Sequence, residues 1–295
     1  LLPFIFHHGI KGSFFIKVNA ITMITILVGE RGGSLMGEVI RIEQVTWRKA
    51  EKEILRNINW HVKEGEHWGI LGLNGSGKTS LLNIVTGYQF PTSGKVVVLE
   101  NEYGKTNIPE LRKKIGYVSS KLDDFNHHLL REKVEAIVVS GKFASFGLYE
   151  EVYQEDWEKA AELLASLRLK SLSGKYYRDL SQGEQRKTLI ARALMADPEI
   201  LILDEPCSGL DILSREEVLE LLAVMDKRNC HILYVTHHTE EIVDTITHVL
   251  LIRDGEIVAT GPKQEVLTDE LLSDVYKIPV NVRWENARPW LTVQK

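Results

Sequence analysis

Residues 67–87 read HWGILGLNGSGKTSLLNIVTG, an apolar run, a glycine-bearing loop, and a second apolar run stopped by Gly87. HWGILG predicts a buried strand, and SLLNIVTG a helix opening directly from the loop. Between them GLNGSGKT (72–79) satisfies G-x-x-x-x-G-K-[ST] in the strand–loop–helix setting that its chemistry needs. Glycines let consecutive backbone N–H groups curl around phosphate oxygens, and the helix N-terminus adds partial positive charge. The candidate cradle is Gly72, Leu73, Asn74, Gly75, Ser76 and Gly77, continued by Lys78, Thr79 and Ser80 into the helix. Lys78 has the reach for β- and γ-phosphates, and the Thr79 hydroxyl is placed for Mg²⁺.

Working outward, residues 38–47 alternate as a half-buried strand does, and NINWHV repeats the pattern before the turn KEGE. PTSG (91–94) is a turn and KVVVLE another strand. From 121 to 180 the chain becomes charged, aromatic and amphipathic, as in DWEKAAELLASLRL, which predicts an inserted helical subdomain. A second alternation follows: helix 182–196, strand EILILDE, helix 215–226, strand HILYVTH. THVLLIRDGEIVATG is a hairpin turning at Asp254-Gly255. Strands alternating with helices predict an α/β fold with a mostly parallel sheet and flanking helices, joined here by an antiparallel β subdomain.

Composition narrows the function. The 295 residues are 44% hydrophobic, enough for a sizeable core, and a net charge of −5 offers no global basic field for nucleic acid. Cys207 and Cys230 are far apart and predict reduced thiols, while the His pairs at 7–8, 127–128 and 237–238 lack metal-site spacing. A membrane helix needs about 20 mostly apolar residues. The nearest run, 13–29, is broken by Lys17 and Asn19.

EILILDEP (199–206) ends an apolar run in two carboxylates. A buried parallel strand releases them beside the phosphate loop, where Asp204 suits Mg²⁺ and Glu205 suits proton abstraction from an attacking water. LSQGEQRK (180–187) starts a helix, with Ser181 as N-cap and Glu184 completing a capping box. Gly183 in that first turn costs helix stability and implies a close approach to the backbone.

GLNGSGKT, LSQGEQ, ILILDEP, SGLD (208–211) and the histidine of YVTHH occur in an order and spacing that resembles the ATP-binding subunit of an ABC transporter, over roughly residues 38–265. The resemblance implies a P-loop NTPase that hydrolyses ATP with Mg²⁺ as a head-to-tail dimer and drives a separate integral-membrane permease, in some systems with an extracytoplasmic solute-binding protein. It implies that Ser181 and Gly183 of one subunit face the P-loop of a second, most simply in a homodimer. It further implies that Asp211 communicates between the two sites and that His237 touches the γ-phosphate. Trp47 matches the family's adenine-stacking position, with core packing as the other reading. Phrases such as SQGEQRKTLIARAL and VTHHTEEI are closest to a subgroup assigned to molybdenum or iron-chelate import. The expected place is the cytoplasmic face of the cell membrane.

IGYVSSKL (115–122) departs from this pattern, because the family's strand there ends in proline and a metal-reaching glutamine. Ser119 and Ser120 stand in their place. The expectation is that Ser120 reaches the metal through water, with a plain strand end that makes no such contact as the other reading, and that Ser119 is at most a turn residue. The departure leaves a soluble ATPase of the same family, with a non-transport role, as the alternative; a regulatory module without turnover is disfavoured by the intact Glu205.

Residues 1–35 are expected to be a non-native leader, since Met36 immediately precedes the first alternating strand and GERGG (29–33) requires purine-rich codons resembling a bacterial ribosome-binding site. The expected divisions are then 36–120 and 181–265 for the ATP-binding core, 121–180 for the helical subdomain, and 266–295 for a C-terminal tail.

Overall fold

The computed structural model describes residues 37–119, 128–143, 151–228 and 230–294. The expected leader and Ser120 lie outside them. β1 (Glu38–Lys49) and β2 (Lys52–Lys63) form a long antiparallel hairpin, followed by β3 (Trp68–Leu71). α1 (Lys78–Val85) leads to β4 (Ser93–Val98), the short β5 (Asn101–Glu102) and α2 (Ile108–Lys113), then β6 (Ile115–Ser119). The inserted region contributes α3 (Val134–Ser140) and α4 (Gln154–Ser166), with short 3-10 turns after each. α5 (Gln182–Leu194), β7 (Ile200–Asp204), α6 (Ile212–Met225), β8 (His231–Thr236), β9 (His248–Arg253) and β10 (Glu256–Pro262) complete the alternation.

Among the described residues the central sheet has the order β10-β9-β3-β8-β7-β6, parallel except for β10 at its edge. A second sheet, β2-β1-β4-β5, is antiparallel. The central strands are buried on both faces, so successive side chains serve two different cores. On β7, Ile200 and Ile202 pack with α1 and the antiparallel sheet, whereas Leu201 and Leu203 pack with α5 and α6. β8 divides likewise, with Leu233 and Val235 on the first side and Ile232 and Tyr234 on the second. Each such fully buried aliphatic side chain contributes about 1.5–3 kcal/mol. That double commitment fixes the register of the strands whose C-terminal ends carry the charged groups. Trp60 of β2 meets Trp68 of β3 edge to face at 5.6 Å, tying the two sheets together.

The segment expected as a C-terminal tail carries regular structure. After α7 (Lys263–Val266), α8 (Asp269–Tyr276) and the antiparallel pair β11 (Val280–Glu285) and β12 (Arg288–Val293) form ordered structure. Val280 is buried, and Val282, Trp284 and Leu291 pack against the larger core.

Candidate functional site

The phosphate loop joins the end of β3 to the first turn of α1. Gly77 holds φ +112° as the residue capping α1, a conformation open to glycine and strained for most other residues. A Cβ on Gly72 would collide with the Ile252 carbonyl oxygen of β9. The hairpin turn supports the loop from below: Gly255 N–H donates to Ser76 O at 2.9 Å, and Arg56 N–H donates to Gly255 O at 2.8 Å. The sequence marks Asp254-Gly255 as a turn but carries no sign of this buttress. The Lys78 ammonium donates across the loop to Gly72 O at 2.7 Å and Leu73 O at 3.2 Å. The Ser76 hydroxyl is buried without a hydrogen-bond partner.

A cavity of about 360 Å³ opens over this loop. Asn74, Gly75, Gly77, Lys78, Thr79 and Ser80 form one side of its lining, and Trp47 and Glu205 contribute to the rest. Trp47 also packs on the core beneath the antiparallel sheet while lining the cavity. Lys49, Ile54 and Gln89 line the cavity as well, and the sequence reading missed them. Lys49 and Ile54 could have been found from the β1–β2 pairing that places them beside Trp47. Gln89 follows α1 with no local signal, and it reaches the site because Gln89 N–H bonds Asn83 O at 2.9 Å and folds the chain back.

Asp204 and Glu205 leave the end of β7 in opposite situations. Asp204 is buried, and its Oδ2 accepts from Tyr117 Oη at 3.1 Å and Ser119 Oγ at 3.3 Å. Ser119 therefore is not a turn residue. It ends β6 as a buried strand residue in register with Asp204, and its hydroxyl serves that carboxylate. Glu205 has φ +51°, a left-handed conformation that costs a non-glycine residue about 1–2 kcal/mol. Its N–H donates to Val235 O at 2.9 Å, which holds the strained backbone in place.

His237 follows β8, and its Nδ1 stands 3.9 Å from Glu205 Oε1. Burial and the neighbouring His238 imidazole lower the His237 pKa below the ordinary histidine range, favouring the neutral ring near pH 7. Behind the turn, the buried Glu241 carboxylate accepts from Thr236 Oγ1 at 2.6 Å and Tyr234 Oη at 3.0 Å. His238 N–H in turn donates to Thr236 Oγ1 at 3.0 Å.

Ser181, Gly183 and Asp211 do not line the cavity; they meet at a separate place. The capping box is formed, with Glu184 N–H donating to Ser181 Oγ at 3.2 Å and Ser181 N–H to Glu184 Oε2 at 2.8 Å. Asp211 caps α6, accepting from Ser214 N–H at 2.9 Å and Ser214 Oγ at 3.0 Å. Those bonds, the backbone one foremost, hold the Asp211 carboxyl below its usual pKa. The close approach at Gly183 is intramolecular: a Cβ there would lie 2.7 Å from Ser214 Oγ. Gly183 thus lets the first turns of α5 and α6 sit side by side.

Comparison with known proteins supplies the family. Residues 55–208 match the ABC transporter family. An uncharacterized ABC transporter ATP-binding protein of Bacillus subtilis, YlmA, is 45% identical over 86% of this chain and 97% of its own length. This chain belongs to the ABC transporter ATP-binding family. Its enzymatic class is accordingly that of an ABC-type ATPase, built on the P-loop cassette fold. Among solved structures, a metal-chelate type ABC transporter in an inward-facing conformation superposes with TM-score 0.73 at 23% identity, covering 88% of this chain and 98% of that one. A dimeric ATP-binding cassette bound to ADP and Pi, in a post-hydrolysis state, superposes with TM-score 0.64 at 27% identity, covering 76% and 98%. Among the described residues no helix is long and apolar enough to cross a membrane.

Proposed function

We propose that the chain binds and hydrolyses ATP as one half of a head-to-tail dimer and powers solute movement through a separate integral-membrane permease. The observation that carries this reading is the separation of the site into two parts. The cavity gathers Trp47, the phosphate loop and Glu205, whereas Ser181 and Asp211 are exposed at a separate place, with Gly183 buried between their helices. A second subunit would bring its own Ser181 surface against this cavity. The post-hydrolysis cassette dimer among the structural relatives supports that arrangement.

In this reading Trp47 stacks on the adenine, and the loop N–H groups of residues 72–77 with Lys78 hold the phosphates. Ser80 adds a hydroxyl at the first turn of α1, and Leu73 and Asn74 shape the outer lip. Glu205 takes the proton from the attacking water as general base. The neutral His237 imidazole donates toward the γ-phosphate from the same side. Asp211 links one composite site to the other.

The donor set fits a hard divalent cation: the Thr79 hydroxyl and the buried Asp204 carboxylate are oxygen ligands, and the Tyr117 and Ser119 hydroxyls orient that carboxylate. When bound, Mg²⁺ neutralises charge on the β- and γ-phosphate oxygens. The proposed contribution of Ser120 falls outside the described residues.

The place of action is the cytoplasmic face of the cell membrane. Relatives named for metal-chelate transport and for spermidine and putrescine import share this cassette, so the permease and any solute-binding protein set the cargo. The soluble alternative finds no support in relatives that carry transporter names. Affinity capture of the tagged full-length chain from detergent-solubilised membranes tests the assignment. It should recover a polytopic membrane protein in stoichiometric amount; recovery of soluble partners alone would count against transport.

A further inference from the structure

The proposed reaction leaves the C-terminal segment without a role, yet it contacts the catalytic turn directly. The Tyr276 hydroxyl at the end of α8 donates to the His237 carbonyl at 3.2 Å. Arg288, the first residue of β12, forms a two-pronged pair with Glu216 of α6, Nη1 to Oε2 at 2.6 Å and Nη2 to Oε1 at 2.9 Å. The same guanidinium donates through Nε to the Glu240 carbonyl. Arg215, beside Glu216, adds a 3.5 Å approach to the Glu240 carboxylate. The Arg288 side chain is largely buried, and its guanidinium carbon lies 5.4 Å from the centre of the Trp290 ring. One planar group thus spans two elements: α6, which Asp211 opens, and the 239–241 turn, which follows His237. Only arginine offers a rigid fork of donors able to grip a carboxylate and a carbonyl together.

We propose that Arg288 and Tyr276 are positioning residues that hold the His237 turn in fixed register with the Asp211 helix. The nucleotide-facing histidine and the surface proposed to meet a second subunit then move as one body. Loss of the clamp loosens the His237 turn without touching the phosphate cradle. Turnover therefore falls while ATP binding persists. This inference rests on the role proposed above for His237.

The test uses the full chain carrying Arg288→Met, Arg288→Lys, Glu216→Gln, Arg288→Met with Glu216→Gln, or Tyr276→Phe. Because a small displacement at a catalytic group is costly, Arg288→Met should lower kcat by about threefold to tenfold with KM for ATP within about twofold. Arg288→Lys should not restore the rate, and Glu216→Gln should add little to Arg288→Met, since paired residues act as a unit. Tyr276→Phe should show a smaller loss of the same kind. Amide hydrogen exchange should accelerate at 238–242 in Arg288→Met while β7 keeps its protection. A folded Arg288→Met with unchanged kcat and unchanged exchange would overturn the clamp, as would additive losses with Glu216→Gln. If Arg288→Met does not fold, Glu216→Gln and Tyr276→Phe decide by the same two readouts. His237→Ala separates the two claims: normal hydrolysis in that variant would remove the role of His237, while the exchange at 238–242 would still decide the clamp.

Discussion

The phosphate loop and the Ser181–Asp211 surface are both built from helix N-termini, yet they are finished in opposite ways. At the loop, α1 begins with Gly77, no side chain caps it, and the Ser76 hydroxyl is buried without a partner beside an open cavity. At the other surface, Ser181 and Asp211 satisfy their own helices, with Glu184 and Ser214 completing the bonds. A helix start without a cap is an invitation to an anion; a capped one is stable alone and presents an exposed face. The first region is shaped to bind a small molecule. The second, in the proposed dimer, meets another surface that already carries one.

The comparison breaks hardest at Glu205. Glu205→Gln keeps the side-chain shape and removes its basicity, so turnover should fall by about 10²–10⁴ with ATP binding retained; a steady-state phosphate-release assay at near-parental rate would remove Glu205 as the base. Lys78→Ala attacks the concave half directly. Charge-assisted hydrogen bonds are worth about 1.5–3 kcal/mol, so ATP affinity measured by calorimetry should weaken by about tenfold to 150-fold. Gly183→Ala attacks the convex half. The added methyl would press on Ser214 Oγ at 2.7 Å, so hydrolysis should slow while the monomer's ATP affinity stays within about twofold. An equal loss of affinity would show that the two regions are not separate.

The placement of most of the loop and of both strand-end carboxylates was legible in the sequence because it depends on near neighbours: a strand, a turn, a helix start. The capping box at Ser181 was legible for the same reason. Gln89 was not, because its entry into the cavity depends on how the chain folds back after α1. The close approach at Gly183 was legible but its partner Ser214 was not, since only the packing of α5 against α6 brings the two together. The C-terminal hairpin escaped for a local reason. Its turn places Asn286 and Ala287 at φ +50° and +59°, where hairpins ordinarily use Asn-Gly. Ala287→Gly should therefore stabilise the chain by about 0.5–1 kcal/mol, relief of the left-handed alanine exceeding the entropy cost of glycine. Thermal denaturation reads this, and a lowered melting temperature would contradict the turn geometry.

The smallest expected effect concerns pH. The lowered pKa of His237, caused first by burial, means that its folded state resists protonation. The contribution is fully present above the unfolded histidine value of about 6.5 and is lost as pH falls through the lower folded value. Denaturant titrations from pH 7.5 to 5 should show stability declining in that window, with a shallower decline in His237→Gln. His231, also lowered by burial, supplies a decline that remains in the variant.

The central claim is that each ATP is held between the concave half of one chain and the capped surface of another. Sedimentation velocity of the Glu205→Gln chain, with and without ATP, tests it most directly. The chain should be a monomer without nucleotide and a dimer with ATP, and should form no dimer when Ser181→Arg is added. A Glu205→Gln chain that remains monomeric in saturating ATP, or that dimerises regardless of Ser181→Arg, would contradict it.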